Sequence, residues 1–269
     1  MILAIDAGNT HIVLGCISSE GEISHILRLE TNARKTEYEY AAQIKQILDL
    51  DGVDSTAFEG AVISSAVPPI TDSLRKAVKI IAGLDAMVVG VGIKTGMEIV
   101  LDDPTSIGAD LVATAVAAKN LYPLPSIIID MGTATTVTVV DKRGRYIGGA
   151  ILPGVRLSLQ ALSSGTSLLP NIEIVPPQKT IASNTIDSMK SGIIFGTAGS
   201  LDGIIDRYEQ ELGAVGSVVA TGGLAGTVCP YCRHEIELDN DLLLKGLYII
   251  WKKNRTRKPR RRAGDKAEE

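Results

Sequence analysis

Residues 127–141, IIIDMGTATTVTVVD, decide the fold because they set a carboxylate, a glycine and three threonines between two apolar runs. Valine, isoleucine and threonine favour β-strands, and glycine permits a tight turn at positive φ. The stretch therefore predicts a β-hairpin whose tip lies at Asp130-Met131-Gly132.

The chain opens with nearly the same pattern, ILAIDAGNTHIVLGC at residues 2–16. Asp6 and Asp130 lie 124 residues apart, close to half of the folded body, which indicates a duplicated domain rather than a short repeat. Strands and helices then alternate, which predicts an α/β architecture of two similar lobes. The helical patterns lie at 37–50, 71–84 and 108–121, and two further strand patterns lie at 59–68 and 215–225.

The two predicted tips carry groups that suit a phosphate. Glycine lets the backbone approach a ligand closely, and exposed N–H groups and hydroxyls donate to phosphate oxygens. The aspartate of each tip repels phosphate, but it can hold a cation, directly or through water, that bridges to the phosphate. One Asp-x-Gly is common in ordinary turns, whereas two copies at half-chain spacing favour a polyphosphate held between the lobes.

Two further loops are rich in small residues. Tandem glycines in ATGGLA, residues 220–225, follow a predicted strand and leave room for a nucleotide base or ribose against bare backbone. The stretch GGAILPG, residues 148–154, is predicted to be a strand flanked by loops near the junction of the lobes.

Composition and charge limit the function classes. The 269 residues are 45% apolar and 4% aromatic with 27 glycines, which is typical of a soluble α/β chain. No apolar run reaches the roughly 20 residues that span a bilayer, and MILAID lacks the basic region of a signal peptide. We therefore expect a cytoplasmic protein without membrane contact.

The net charge of −4 is unevenly distributed. Residues 252–269 carry +6 and the remaining residues −10, and an acidic body argues against a nucleic-acid-binding fold. The basic end is compatible with contact to nucleic acid or anionic lipid, but its composition favours a solvated, disordered tail.

Three cysteines provide no disulfide framework for a chain of this length, which favours a reducing cytosol. Cys229 and Cys232 form a C-x-x-C with His234 nearby. A zinc site would need a fourth ligand, and a redox pair would lack its usual thioredoxin-like context. An ordinary loop is the favoured interpretation.

Taken together, these motifs resemble those of the type III pantothenate kinases, within the acetate-and-sugar-kinase, Hsp70 and actin superfamily. The matching pieces occur in the family's order over about residues 1–254: DAGNTHIVLG, SSAVP, GIKTGM, DDPTSIGAD, DMGTATT, GGAILPG, NT with SGIIFG after it, ATGGLA and LLLKGL. The resemblance implies two ribonuclease H-like (actin-like ATPase) lobes with a nucleotide cleft between them. We place the lobes at residues 1–115 and 116–254, followed by a basic tail at 255–269.

The resemblance also implies the reaction and its site. The family phosphorylates pantothenate with ATP in the first step of coenzyme A biosynthesis, as a homodimer with Mg²⁺ and a monovalent cation, K⁺ or NH₄⁺. Asp110 is implied as the catalytic base, Asp130 as the ligand of the monovalent cation, and Asp6 as a Mg²⁺ ligand through water. Contacts to ATP are implied for Asp6, Ala7, Gly8, Asn9, Thr10, His11, Ile12, Val13 and Thr133, and contacts to pantothenate for Gly108, Ala109, Asp110, Leu111 and Thr185.

Four residues depart from the family's pattern, and all lie in the acceptor region. Leu111 replaces the arginine of G-A-D-R, and Leu101, Asp103 and Ser106 replace a tyrosine, an asparagine and an acidic residue. Loss of a cation that hydrogen-bonds a charged group costs about 1.5–3 kcal/mol, roughly 10- to 150-fold in affinity. The alternatives to pantothenate phosphorylation are therefore a catalytically weak, ATP-binding paralogue with a regulatory role, and a kinase for another small hydroxyl compound.

Overall fold

The computed structural model describes residues 1–255. Apart from Arg255, the basic tail predicted for residues 255–269 lies outside the described residues. Within the described part of the chain, no helix is both long and apolar enough to cross a membrane.

The first sheet contains five strands in the order β3-β2-β1-β4-β5. β1 pairs antiparallel with β2, β2 antiparallel with β3, and β1, β4 and β5 run parallel. The strands are β1 (Ile2–Ala7), β2 (His11–Ile17), β3 (Ile23–Glu30), β4 (Gly60–Ser65) and β5 (Met87–Val88).

The second sheet repeats this topology. Its order is β11-β10-β7-β8-β9-β6, so that β9-β8-β7-β10-β11 corresponds strand by strand and direction by direction to the first sheet. Both predicted hairpins, β1–β2 and β7–β8, are confirmed. The strands are β6 (Glu98–Ile99), β7 (Ser126–Met131), β8 (Ala134–Val140), β9 (Arg145–Pro153), β10 (Ser217–Thr221) and β11 (Glu237–Leu238).

The described residues contain seven α-helices, six between strands and one after β11, and the three that the sequence predicts are all present. The second begins at Pro68, three residues earlier than predicted, because proline fits the first helical turn, where its missing N–H would be unpaired anyway. The helices are α1 (Glu37–Leu50), α2 (Pro68–Ala82), α3 (Ala109–Leu121), α4 (Val155–Ser164), α5 (Thr185–Leu212), α6 (Ala225–Val228) and α7 (Leu242–Asn254).

Helices α3 and α7 pack against each other and link the lobes. α3 contacts β4 of the first sheet and β7 and β8 of the second, and α7 contacts β1 and β4. Residues 112–118 of α3 are all buried, as expected for a helix enclosed on every side. A side chain at Gly246 would overlap the carbonyl oxygen of Ala113, so glycine is needed where the helices cross. The predicted limit at residue 115 falls inside α3, and the domain limits stay a prediction.

Candidate active site

Strand alternation places Asp6 and Asp130 on the faces of the two sheets that meet at the helix pair α3–α7. In β1, Ile2 and Ala4 belong to the central core around these helices, whereas Leu3, Ile5 and Ala7 belong to the core on the other face. In β7, Ile128 likewise belongs to the central core. Because side chains two residues apart share a face of a strand, Asp6 and Asp130 point toward the space between the lobes.

Asp110 reaches the same space from the first turn of α3. Its position near the helix N-terminus favours a carboxylate, since the helix dipole is positive there. The N–H of Leu111 donates to Asp110 Oδ1 at 2.9 Å, so Oδ2 is the oxygen left for another partner.

The charges of the three carboxyl groups act on one another: Asp110 and Asp130 act on Asp6, and Asp110 acts on Asp130. Burial, followed by the Asp110 charge, raises the pKa of Asp6 to about 7, against the opposing effect of the nearby Ser64 hydroxyl. Burial and then Asp110 raise the pKa of Asp130 to about 6. A site that brings three acids together in a poorly solvated cleft is built for a positive charge.

Buried hydroxyls beside the aspartates support a cation site. Ser64 lies next to Asp6 in the parallel β1–β4 register, and Thr136 lies opposite Asp130 in the hairpin. The hydroxyls of both are buried and, among the described residues, have no hydrogen-bond partner of acceptable geometry. Buried polar atoms are almost always paired, and oxygen donors of this kind suit Mg²⁺ and monovalent cations. The residues present therefore fit the implied cations.

The two hairpin tips meet across the cleft. Thr10 Oγ1 lies 3.3 Å from Thr133 Oγ1, and both residues are exposed. The backbone closes the first tip with a hydrogen bond from Gly8 N–H to the His11 carbonyl at 3.0 Å. Gly154 lies directly against the backbone of Thr133, where a Cβ would overlap the carbonyl oxygen. The two tip hydroxyls therefore meet at one exposed point between the lobes.

Not every residue implied for ATP contact has a side chain at the tip. Asn9, Thr10 and His11 are exposed, whereas Ala7 and Ile12 are fully buried in the core of the first lobe. Ala7 and Ile12 can therefore meet a ligand only through their backbone. Val13 is partly buried and packs against the central core.

The glycine loop after β10 adjoins the second hairpin. Gly222 has φ +95° and sits so close to Met131 that a Cβ would lie 2.7 Å from its backbone atoms. Gly223, by contrast, has no neighbouring atom within 4 Å of such a Cβ. The loop therefore presents open backbone beside the Asp130 hairpin, as a flat ligand requires.

The implied acceptor residues divide into two groups. Gly108, Ala109, Asp110 and Leu111 form the start of α3 beside the cleft and are partly buried. Thr185 is exposed at the start of α5, and no hydrogen bond or ion pair within residues 1–255 links it to the three aspartates.

The atypical residues before α3 have local roles in the loop. Asp103 Oδ1 accepts hydrogen bonds from the backbone N–H and the hydroxyl of Thr105, at 3.0 and 2.6 Å, and Ser106 Oγ donates to the Asp103 carbonyl at 2.7 Å. Leu101 packs against the central core.

Sequence reasoning did not single out Ser64 as a site residue. The sequence does show small polar residues, SSAVP, at the end of a predicted buried strand. Only the fold shows that this strand pairs with β1, which places Ser64 beside Asp6. The sequence also predicted that the hydroxyls of Thr133, Thr135 and Thr136 donate to phosphate at the hairpin tip. This was wrong for Thr135 and Thr136, whose hydroxyls are buried in β8.

Comparison with known proteins identifies the family. The sequence model described as type III pantothenate kinase matches residues 2–207. The chain belongs to the type III pantothenate kinase family. A curated type III pantothenate kinase from Halalkalibacterium halodurans is 42% identical over 254 residues, which are 94% of this chain and 100% of that protein. The resemblance stated from the motifs is thus confirmed, and with it the prediction of a kinase.

Solved structures of low sequence identity confirm the fold. The activator of the 2-hydroxyisocaproyl-CoA dehydratase from Clostridium difficile, solved with ADPNP, covers 93% of this chain and 92% of its own, with TM-score 0.53 and 13% identity. A ROK family glucokinase from Streptomyces griseus, solved with glucose and AMPPNP, covers 93% and 97% with TM-score 0.53 and 13% identity. The predicted α/β fold of two ribonuclease H-like lobes is confirmed.

The raised pKa of Asp6 predicts a pH-dependent stability. Because the folded-state pKa of about 7 exceeds the ordinary 3.8, the folded protein holds this proton more tightly than the unfolded chain. The resulting stabilisation is complete at low pH and is lost as pH rises through 7. The unfolding free energy of the wild type should therefore fall as pH rises from about 5 to 8. In Asp6→Asn we expect this fall to be smaller by about 1.4 kcal/mol or more, the equivalent of a pKa shift of about one unit or more.

Denaturant unfolding of the protein freed of divalent cations by a chelator measures this slope. Asp72→Asn is the matched control, since ion pairs to Lys76 and Arg75 lower the pKa of that exposed aspartate and it stays charged over the whole range. Equal pH slopes for wild type and Asp6→Asn would show that Asp6 does not hold a proton in the folded protein near neutrality.

Proposed function

We propose that the protein transfers the γ-phosphoryl group of ATP to the primary hydroxyl of pantothenate, giving 4'-phosphopantothenate in the first step of coenzyme A biosynthesis. The observation that carries this proposal is the meeting of three aspartates and two glycine hairpins in one cleft of a chain from this family. Phosphoryl transfer depends mainly on positioning and charge neutralisation, which this arrangement supplies.

The proposed base is Asp110. A primary alcohol has a pKa far above 7, so a carboxylate assists only as the hydroxyl proton leaves during attack on phosphorus. Oδ1 is held by the N–H of Leu111, and Oδ2 is available to accept that proton. The bond between the acceptor oxygen and phosphorus forms as the bond to the ADP oxygen breaks, and the proton ends on Asp110.

The hairpin tips are proposed to bind the ATP phosphates. Exposed Asn9, Thr10 and Thr133 provide side-chain donors, and the backbone from Asp6 to Val13 provides N–H groups. The Thr10–Thr133 contact supports this assignment because it shows that both tips reach the same point. The open backbone at Gly223 is the proposed position of the adenosine.

The two cations are assigned by the residues that would hold them. Asp6 is proposed to hold Mg²⁺ through water, and Asp130 with the Thr136 hydroxyl to hold K⁺ or NH₄⁺. When bound, these ions neutralise phosphate charge. The orphan hydroxyls of Ser64 and Thr136 support both assignments, since each lies beside one of the aspartates.

A homodimer is proposed as the working state. Six large apolar side chains between residues 151 and 186 are at least 40% exposed, which is unusual for so short a segment on a free surface. Thr185, implied as a pantothenate contact, lies in the same segment. The six residues are Ile151, Leu157, Leu162, Leu168, Ile181 and Ile186.

A cytoplasmic location also stays a proposal, supported by three cysteines that are free within the described chain.

Replacing the proposed base should remove transfer without removing nucleotide. We expect Asp110→Asn to lower kcat by at least about 100-fold, the usual contribution of a general base, while Mg-ATP still raises Tm. A coupled assay of ADP release, with and without pantothenate, measures the first effect, and thermal shift measures the second. Full activity in Asp110→Asn would reject Asp110 as the base.

Restoring the family's cation should improve the acceptor site. Pantothenate carries a carboxylate, and Leu111 is partly buried beside Asp110 without providing a charge. We expect Leu111→Arg to lower the KM for pantothenate by about tenfold or more with kcat largely kept, the pattern of restored uniform binding. Leu111→Gln, which adds a polar but uncharged side chain, is the control. If the wild type has no turnover and Leu111→Arg restores none, the pocket serves another acceptor or none.

The monovalent cation can be tested by salt exchange. We expect turnover to fall several-fold when KCl is replaced by NaCl at equal concentration, because a site set for K⁺ holds the smaller ion less well. Asp130→Asn should abolish the difference between the two salts. Equal wild-type rates in KCl and NaCl would contradict the assignment of Asp130.

A further inference from the structure

A second group of acids lies on α5, away from the cleft. Asp202, Asp206 and Glu209 are spaced four and three residues apart, which places them on one face of the helix. The ring of His234, in the loop after the C-x-x-C turn, lies against this face. We refer to these four residues as the α5–His234 cluster. No hydrogen bond or ion pair within residues 1–255 joins it to Asp6, Asp110 or Asp130.

Asp202 fixes the orientation of the histidine. Its carboxylate is 3% exposed and accepts hydrogen bonds from the backbone N–H of Arg233, at 2.9 and 3.0 Å. It also lies 2.9 Å from His234 Nδ1. The short contact with this oxygen places a proton on Nδ1 and directs Nε2 away from Asp202.

Nε2 faces two more carboxylates. It lies 3.1 Å from Asp206 Oδ1 and 3.8 Å from Glu209 Oε2. With its proton on Nδ1, a neutral imidazole presents a lone pair here, and a lone pair repels carboxylate oxygens. Either a second proton or a metal ion must lie between these atoms.

The spacing suits a metal ion. One ligand atom from each of Asp206, Glu209 and His234 lies within 4.8 Å of the others. Bonds of about 2.0–2.1 Å to a tetrahedral zinc place its ligand atoms about 3.3 Å apart, so small rotations of two half-buried side chains, Asp206 and Glu209, complete the geometry. A carboxylate that orients a ligating histidine through its other nitrogen is the usual outer partner of such sites.

We propose that Asp206, Glu209 and His234 bind one divalent transition-metal ion of the Zn²⁺ class, with Asp202 orienting the histidine. Three protein ligands leave one position for water. Arg233 contacts the other oxygen of Asp206, Oδ2, at 2.9 Å, which leaves Oδ1 for the metal but adds a positive charge that weakens binding.

The thiols of the C-x-x-C are not part of this site. Cys229 is 5% exposed, and Cys232 Sγ donates to the Ala198 carbonyl at 3.8 Å. Among the described residues, no cysteine joins a group of three or more potential metal ligands. The metal would instead tie the loop after Cys232 to α5.

Metal titration of the whole protein tests the proposal. After chelator treatment and dialysis, without ATP, Zn²⁺ binding is measured by calorimetry, and Co²⁺ is used as a spectroscopic probe. We expect one tight Zn²⁺ per chain, a rise in Tm on binding, and a Co²⁺ spectrum without a thiolate charge-transfer band.

Matched variants on the same helix locate the ion. Glu209→Gln and His234→Gln should each weaken Zn²⁺ binding at least tenfold, whereas Glu211→Gln, an exposed acid two residues further along α5, should leave it unchanged. Should His234→Gln fail to fold, Glu209→Gln decides the matter.

Three results would overturn the proposal. They are the absence of stoichiometric Zn²⁺ binding, equal affinity in wild type and Glu209→Gln, and a thiolate band with Co²⁺. The first would mean that a protonated His234 pairs with the carboxylates and that the cluster is purely structural.

Discussion

Repulsion among the carboxylates of Asp6, Asp110 and Asp130 constrains everything around them. Three separate elements, two strands and a helix N-terminus, deliver these groups to one poorly solvated space, where burial and mutual charge hold the pKa of Asp6 and Asp130 well above their ordinary values. Folding alone leaves this charge uncompensated. The stability gained elsewhere, in three apolar cores, is what allows the protein to keep a site that only cations and phosphates can complete.

The architecture was predictable where the local chemistry and the repeat agreed. Asp-x-Gly between β-branched runs indicated each hairpin, and the separation of Asp6 and Asp130 indicated the duplication. The matching strand orders of the two sheets follow from that duplication. Alternation along β1 and β7 then determines which way Asp6 and Asp130 point, so the positions of these two aspartates could be predicted from two short stretches of sequence.

Other parts depend on contacts between distant segments, which no local pattern reveals. The pairing of β6 with β9, the crossing of α7 over α3 and the position of Ser64 beside Asp6 are all of this kind. The C-x-x-C drew attention to Cys229, Cys232 and His234 as a group, yet the histidine turns to the acids of α5. The spacing of those acids is common on helix surfaces, so the sequence does not separate them from ordinary surface acids. Only the fold shows that the loop with His234 packs against them.

The crossing of α7 over α3 has a consequence for how the enzyme is made. Gly246 packs on Ala113, one helical turn after Asp110, and Lys245 and Tyr122 both bind the buried Asp239. The helix that carries the proposed base is therefore braced by residues that lie 117 or more positions further along the chain than the residues they contact. A ribosome must therefore synthesise nearly the whole chain before α7 can pack on α3 and fix the position of Asp110.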